Sequence, residues 1–417
     1  MLQEYTHIFG STLLHSVIVW LLLGAETCIA APILYVCILS ITAILVTKKR
    51  EIEKAKEKFA SAASQYNFAI LVPAHNEEDM LGNLLRSLSA LAYPQNQYTI
   101  YVVADNCTDT TAEVARGFDG VRVYERFDMV KRGKGYALGW VFQKLEEAHL
   151  IHDAYVILDA DSQVEPTFLQ WMAKELAQGA QALQARYNVL NIAESPSTAL
   201  RGIALTLNNH MRPLSRSSLG GSSTLTGNGM CFSRSLLERC PWQAFALSED
   251  YQYYLTLVEH GERVHYVPEA VVCAHMPTTF AAMRTQDIRW EAPGDGPTLW
   301  QVTLGLLKAG MQLRSFVCFE AIVELLTPPL SLLASCCLVI LIAALLLQSP
   351  LALLCSLVLI GGLVFYIGTG FYLLRPPLSI YKALLYAPGF MVWKLWVYFV
   401  LARSKKHTST WVRTSRS

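Results

Sequence analysis

The sequence predicts an α/β domain held between apolar, membrane-length segments, and three observations predict it. Charge is segregated along the chain. Short apolar runs alternate with helical stretches through the middle, as in a doubly wound parallel sheet. Polar and acidic clusters stand directly after those apolar runs, where ligands of open α/β sheets bind.

Hydrophobic residues make up 53% of the 417 residues and charged residues 16%, against about 25% charged in an ordinary soluble domain. This excludes a disordered or fibrous chain. Thirty-four Lys plus Arg nearly balance 33 Asp plus Glu, so there is no basic footprint for nucleic acid.

At the amino end, Ile8 to Val46 carries one acidic residue, Glu26, and no Lys or Arg. It is too long for one untilted span of about 20 residues. It is expected to form a hairpin of two short spans turning near Gly24 to Thr27, or else one tilted helix, within residues 1–50. Lys48, Lys49, Arg50, Lys54, Lys56 and Lys58 follow, and the positive-inside rule places that flank in the cytoplasm.

From residue 66 to 295 the pattern changes. Phe68 to Val72, Thr99 to Ala104, Val121 to Tyr124 and Tyr155 to Leu158 read as buried strands, being nearly all apolar. Glu78 to Leu91, Thr110 to Arg116, Tyr136 to Ala148 and Pro166 to Ala177 read as the helices after them. The first strand is followed by Pro73-Ala74-His75-Asn76-Glu77-Glu78, the second by Asp105-Asn106-Cys107-Thr108-Asp109, and the fourth by Asp159-Ala160-Asp161. Helix capping or turn formation could explain each cluster alone. Three at one sheet edge point to a ligand site. No G-x-G-x-x-G follows the first strand and there is no P-loop, which disfavours a dinucleotide or P-loop fold. Asp159 and Asp161 suit a hard divalent cation bridging to phosphate oxygens. Lys134, between Gly133 and Gly135, could meet phosphate too, or belong to a solvated basic loop.

Beyond the domain, residues 296–324 read as interfacial helices. Leu325 to Leu374 contains no charged residue and is expected to form two transmembrane helices broken at Gln348-Ser349-Pro350. Residues 379–402 hold Lys382, Lys394 and Pro388-Gly389, which suits an interfacial or re-entrant segment. A basic tail, 403–417, would then lie in the cytoplasm. The ten cysteines show no metal-ligand spacing and are expected to be free thiols.

In this order the motifs resemble those of the membrane-embedded family 2 glycosyltransferases. The resemblance adds Thr226-Gly227-Asn228-Gly229-Met230, like the acceptor-side loop; Ser248-Glu249-Asp250, like T-E-D; and Gln286-Asp287-Ile288-Arg289-Trp290, a match to Q-x-x-R-W. It departs at Ser248, where Thr is usual, and at Asn106, where many relatives carry a second Asp. The resemblance implies a GT-A (Rossmann-like) cytoplasmic domain inserted between N-terminal and C-terminal transmembrane helices. It also implies an inverting transfer from a nucleotide-sugar donor, a UDP-sugar, to a lipid or lipid-linked acceptor.

By the same resemblance, Asp250 would be the general base. Pro73, Glu77, Asp105, Lys134, Asp159, Gln286, Arg289 and Trp290 would serve the donor. Gly227, Asn228, Glu249 and again Trp290 would serve the acceptor, although Trp290 could instead anchor the interface and Glu249 could act only as a neighbour of Asp250. Asp159 and Asp161 would hold Mg²⁺ or Mn²⁺, and Gln163 resembles a further metal-side residue. A processive polysaccharide synthase is the alternative; about four spans are few for a polymer channel, which favours single addition. A non-catalytic nucleotide-sugar sensor is disfavoured because it would not need Asp250.

Overall fold

A computed structural model describes residues 2–54, 66–279, 298–376 and 378–403. The chain opens on one continuous helix, α1 (Leu2–Lys54). The expected hairpin is therefore corrected to the single-helix alternative. Gly24-Ala25-Glu26-Thr27 contains no proline and only one glycine, and the Thr27 hydroxyl donates back to the Leu23 carbonyl at 2.8 Å. A lone glycine costs about 1 kcal/mol in a helix interior, too little to turn the chain by itself.

The central domain begins with β1 (Phe68–Ala74), α2 (Leu81–Ser89), β2 (Tyr98–Asp105), α3 (Thr111–Arg116), β3 (Val121–Arg126), α4 (Lys134–Glu147) and β4 (Ala154–Ile157). It continues through β5 (Ser162–Val164), α5 (Phe168–Ala177), β6 (Ala182–Val189), α6 (Pro196–Leu205) and a π-turn at Thr206–Met211. Next come α7 (Arg212–Ser218), β7 (Met230–Ser233), α8 (Arg234–Arg239), α9 (Glu249–Glu259) and β8 (Val264–Ala274). The eight strands form one sheet in the order β3-β2-β1-β4-β7-β6-β8-β5.

The half nearest β1 is parallel, as expected, with Phe68 opposite Tyr98 and Ala154. Beyond β4 the sheet is mixed, because β7 runs antiparallel to both β4 and β6. Successive β1 residues bury on opposite faces, as the two-residue period of a strand requires. Phe68, Ile70 and Val72 pack with Leu84 and Leu85 of α2 and Met172 of α5. Ala69 and Leu71 pack with Leu138 and Val141 of α4 and Leu257 of α9. Each large apolar side chain so buried contributes about 1.5–3 kcal/mol.

After the domain come α10 (Leu299–Leu313), α11 (Phe316–Leu326), α12 (Leu330–Leu346) and α13 (Pro350–Leu374). The short α14 (Leu378–Tyr381), a 3₁₀ turn and α15 (Ala387–Arg403) end the described chain. The break expected at 348–350 lies between α12 and α13. Leu14–Ile52 and Pro350–Leu374 are each long and apolar enough to cross a membrane, and α11 and α12 form a pair bent by 57°.

Domain and apolar helices share a core. Leu200, Ile203 and Leu207 pack with Ile33 and Val36 of α1 and with Leu359 and Leu363 of α13. Arg50 on α1 donates to both carboxylate oxygens of Glu269 at 3.1 and 2.9 Å. Lys394 on α15 is buried, its ammonium 5.7 Å from the Trp393 ring centre. All ten cysteines are free.

Candidate active site

The carboxyl ends of β1 and β2 carry two loops stitched together by side chains. Asn76 and Asn106 both take the left-handed conformation, with φ of 55° and 53°, which asparagine tolerates better than most residues. Thr108 N donates to Asn76 Oδ1 at 2.7 Å, and Glu77 N donates to Thr111 Oγ1 at 2.8 Å. Glu78 accepts from the amide and hydroxyl of Thr110, so α2 starts at Leu81, later than the sequence suggested. Pro73 lies near the end of β1, paired with Val103.

Asp105, at the end of β2, is buried and accepts from Arg126 Nη1 at 2.6 Å and from Asn106 Nδ2 at 3.1 Å. Burial pushes its carboxyl above the usual range, and Arg126 opposes that shift. Arg126 was not flagged by sequence, because its partner lies on the neighbouring strand and nothing local marks the pair.

The second group centres on Lys134. Gly133 adopts φ 113° and α4 begins at Lys134 itself, which puts a cation at a helix amino end, where the macrodipole disfavours it. Carboxylates offset this. Lys134 Nζ donates to Asp159 Oδ1 at 2.5 Å and to the Gly227 carbonyl, and stands 3.6 Å from Glu249 Oε1. A Cβ placed on Gly227 would lie 3.1 Å from Asp250 Oδ2 and 3.4 Å from Lys134 Nζ. Residues from four separate stretches therefore meet at one ammonium.

Local packing explains how. The segment leading into α9 lies directly on α4 at Gly135, where a Cβ would come within 2.2 Å of the Ala244 carbonyl. Trp242 Nε1 donates to the Gly135 carbonyl at 3.1 Å, and Phe245 stacks on Tyr136 at 4.8 Å. Glu249 and Asp250 then open α9, with Tyr251 N donating to Asp250 Oδ1 at 2.8 Å.

Electrostatics follow from this crowding. Burial favours the neutral Lys134 amine, but Asp159 and Glu249 more than offset it and hold the ammonium charged. Burial pushes Glu249 up to about 7, Lys134 pulling it down and Asp250 pushing it further up. Asp250 is raised for the same first reason, with Lys134 opposing.

Asn228, expected on the acceptor side, is fully buried. Its Oδ1 accepts from Asp159 N at 3.2 Å, its Nδ2 donates to Ser162 Oγ at 2.7 Å, and its carbonyl accepts from Gln184 at 2.8 Å. It braces the Asp159 turn.

Asp161 sits where that turn enters β5, and the register of β5 on β8 sets Ser162 opposite Ala274. The next position on β8's side is His275, which no spacing in the sequence had marked. Gln163 pairs with Cys273. Among the described residues no group of three or more His, Cys, Asp or Glu is arranged to hold a metal by itself. Two hard carboxylates that leave the remaining positions to substrate phosphate and water do fit Mg²⁺ or Mn²⁺. Gln286, Arg289 and Trp290 lie outside the described residues.

The family described as "Glycosyltransferase like family 2" matches residues 65–292, more than half of the chain. A "Probable glycosyltransferase YdaM" of Bacillus subtilis is 26% identical over 59% of this chain and 58% of its own length. A "Beta-monoglucosyldiacylglycerol synthase" of Nostoc is 30% identical over 54% of this chain and 48% of its own length. The chain thus spans about half the length of the curated relatives it matches. A solved mannosyltransferase from Pyrobaculum calidifontis, in complex with GDP-Man and Mn²⁺, covers 90% of this chain and 97% of its own at 17% identity and a TM-score of 0.47.

Proposed function

Because the chain belongs to glycosyltransferase-like family 2, we propose that it is an inverting enzyme that moves a sugar from a UDP-sugar to a lipid or lipid-linked acceptor at the cytoplasmic membrane face. The observation that carries this reading is the convergence of Lys134, Asp159, Glu249 and Asp250 around Gly227. A cation, a metal-type carboxylate and a poised second carboxylate are what one displacement at an anomeric carbon needs.

Asp250 takes the proton of the acceptor hydroxyl as its oxygen attacks the anomeric carbon. The bond from that carbon to the nucleoside diphosphate breaks on the opposite face, so configuration inverts. Lys134, kept charged and held on Asp159, faces the negative charge that collects on the departing diphosphate. A divalent ion held by Asp159 and Asp161 would supply further neutralisation there. Glu77, Pro73 and Asp105 frame the nucleoside side, with Arg126 fixing the Asp105 carboxylate. By the Q-x-x-R-W resemblance, Gln286 and Arg289 would serve the donor diphosphate and Trp290 the acceptor. Asn228 serves by holding the Asp159 turn, and Gly227 leaves open the space that its missing side chain would fill beside Asp250.

The relative named for monoglucosyldiacylglycerol synthesis supports a lipid acceptor, as do two helices of membrane length that pack directly on the domain. The test is the full chain in nanodiscs with Mg²⁺ or Mn²⁺, a panel of radiolabelled nucleotide sugars and membrane lipid extract. A discrete labelled glycolipid is expected. A high-mass polymer would replace single addition with processive synthesis, and UDP binding with no turnover would favour the sensor.

A further inference from the structure

Four charged side chains, three of them buried and Glu324 half-buried, meet where the domain joins the apolar helices, and the displacement chemistry uses none of them. Arg212 and Arg216 come from α7, Glu320 and Glu324 from α11, and the charges balance. Arg216, 1% exposed, donates from Nε to Glu320 Oε1 at 2.5 Å and from Nη2 to Glu320 Oε2 at 3.1 Å. Arg212 Nη2 donates to Glu324 Oε2 at 3.0 Å. Tyr35 of α1 donates to Glu320 at 3.2 Å and to Glu324 at 3.0 Å.

A buried ion pair is a poor device for stability, since apolar residues of similar volume commonly do as well or better. Its value lies in fixing one arrangement, and the arrangement fixed here is specific. Arg216 Nη2 also donates to the Tyr254 hydroxyl at 3.0 Å. Tyr254 follows Asp250 on α9 by four positions, so the two lie on one face a helical turn apart. Glu320 also accepts from the amide of Ser222, at 3.3 Å. At Gly221 a Cβ would come within 2.6 Å of the same carboxylate. Five residues after Ser222 comes Gly227, beside Asp250. One carboxylate on a membrane-side helix thus holds both the helix that carries the base and the strand of chain that borders it. The cluster's hydrogen bonds beyond its own charges run to Tyr35, Tyr254 and Ser222, on the acceptor side of the site.

We propose that Glu320, acting through Arg216 and Tyr254 and through the Ser222 amide, is a positioning residue that aligns Asp250 with the acceptor hydroxyl. Donor binding is left unaffected. This inference rests on Asp250 being the base. In the protein at work, α11 sets the acceptor half of the site relative to the bilayer from which a lipid hydroxyl arrives, while the donor half is set by the parallel strands.

The experiment uses the full chain in nanodiscs, comparing wild type with Glu320→Gln, Arg216→Lys and Tyr254→Phe. It measures kcat and KM for the lipid acceptor, the Kd for UDP with Mn²⁺, and the Tm. A displacement of about 1 Å at a reacting group can cost 10²-fold, so kcat for transfer is expected to fall at least about tenfold in Glu320→Gln. In Tyr254→Phe, which removes one hydroxyl, a fall of about threefold or more is expected. The Kd for UDP should stay within about twofold in both.

Transfer at the wild-type rate, or transfer and UDP affinity falling together with Tm, would overturn the coupling. Should Glu320→Gln fail to fold, Tyr254→Phe decides alone, by the same criteria. A wild-type chain that transfers no sugar to any acceptor would overturn the glycosyl-transfer reading itself, and this inference with it. Active wild type with equally active variants would overturn only the coupling.

Discussion

Lys134 balances the site electrostatically, because it is the one cation placed among Asp159, Glu249 and Asp250 in the described structure. Lys134→Met should lower kcat for transfer by about 10²-fold or more, the scale of losing one preorganised charge contact in a transition state. UDP affinity should weaken in the same variant, read by calorimetry.

Glu249 gives a pH signature. Its carboxyl is pushed up to about 7, chiefly by burial. The folded chain therefore holds that proton more tightly than the unfolded chain does. This group's contribution to stability is present at low pH and is lost as pH rises through about 7. Activity runs the other way, since the base must be ionised, so kcat/KM for the acceptor should rise with pH. Glu249→Gln removes a negative neighbour of Asp250 and should move that acid limb to lower pH, measured as a pH–rate profile.

Asn228→Ala should destabilise the fold by about 1–3 kcal/mol, the cost of leaving buried polar groups without partners. Lys134, Asp159 and Asp250 were legible because each stands in a short motif. Arg126, Arg216 and Glu320 were not, since their partners lie on other elements and only the fold brings them together.

At the scale of elements, β1 to β4 are readable to within two residues: β1, β2 and β4 are central and mostly apolar, and the edge strand β3 keeps Val121 and Val123 in alternation with charged neighbours. The four other strands were not identified in the sequence. β5 has only three residues, and β6 is buried along its first four positions and half-buried along its last four, with Gln184, Arg186 and Asn188 interrupting the apolar run, so periodicity has little to act on. Of the two readings of α1, the hairpin fails and the single helix stands, because length alone suggested a turn that the residues do not encode.

The element contact that matters most is the crossing of α4 by the segment before α9. Gly135→Ala would drive a Cβ against the Ala244 carbonyl. It should cost about 1–3 kcal/mol, the usual range for overpacking, and lower transfer by displacing Glu249 and Asp250. Melting temperature and kcat together check this.

For the whole molecule, in the proposed orientation α1 crossing once would leave the amino end opposite the basic flank at Lys48 to Arg50, and α12 and α13 crossing as a pair would return the chain to the side it left. An amino-terminal epitope tag should therefore be accessible on intact cells, and a carboxyl-terminal tag only after permeabilisation. Chelation should abolish transfer, and Mg²⁺ or Mn²⁺ should restore it, because in the proposed site Asp159 and Asp161 would hold the ion and leave the rest of its shell to the donor and water.

Asp250 as the base is the centre of the account. Asp250→Asn keeps the volume and the hydrogen bond from Tyr251 N while removing the proton acceptor, so the full chain in nanodiscs should bind UDP with unchanged affinity. Its rate of sugar transfer to lipid should fall by about 10²–10⁴-fold, the range for losing a general base. Transfer within about twofold of wild type would contradict the assignment.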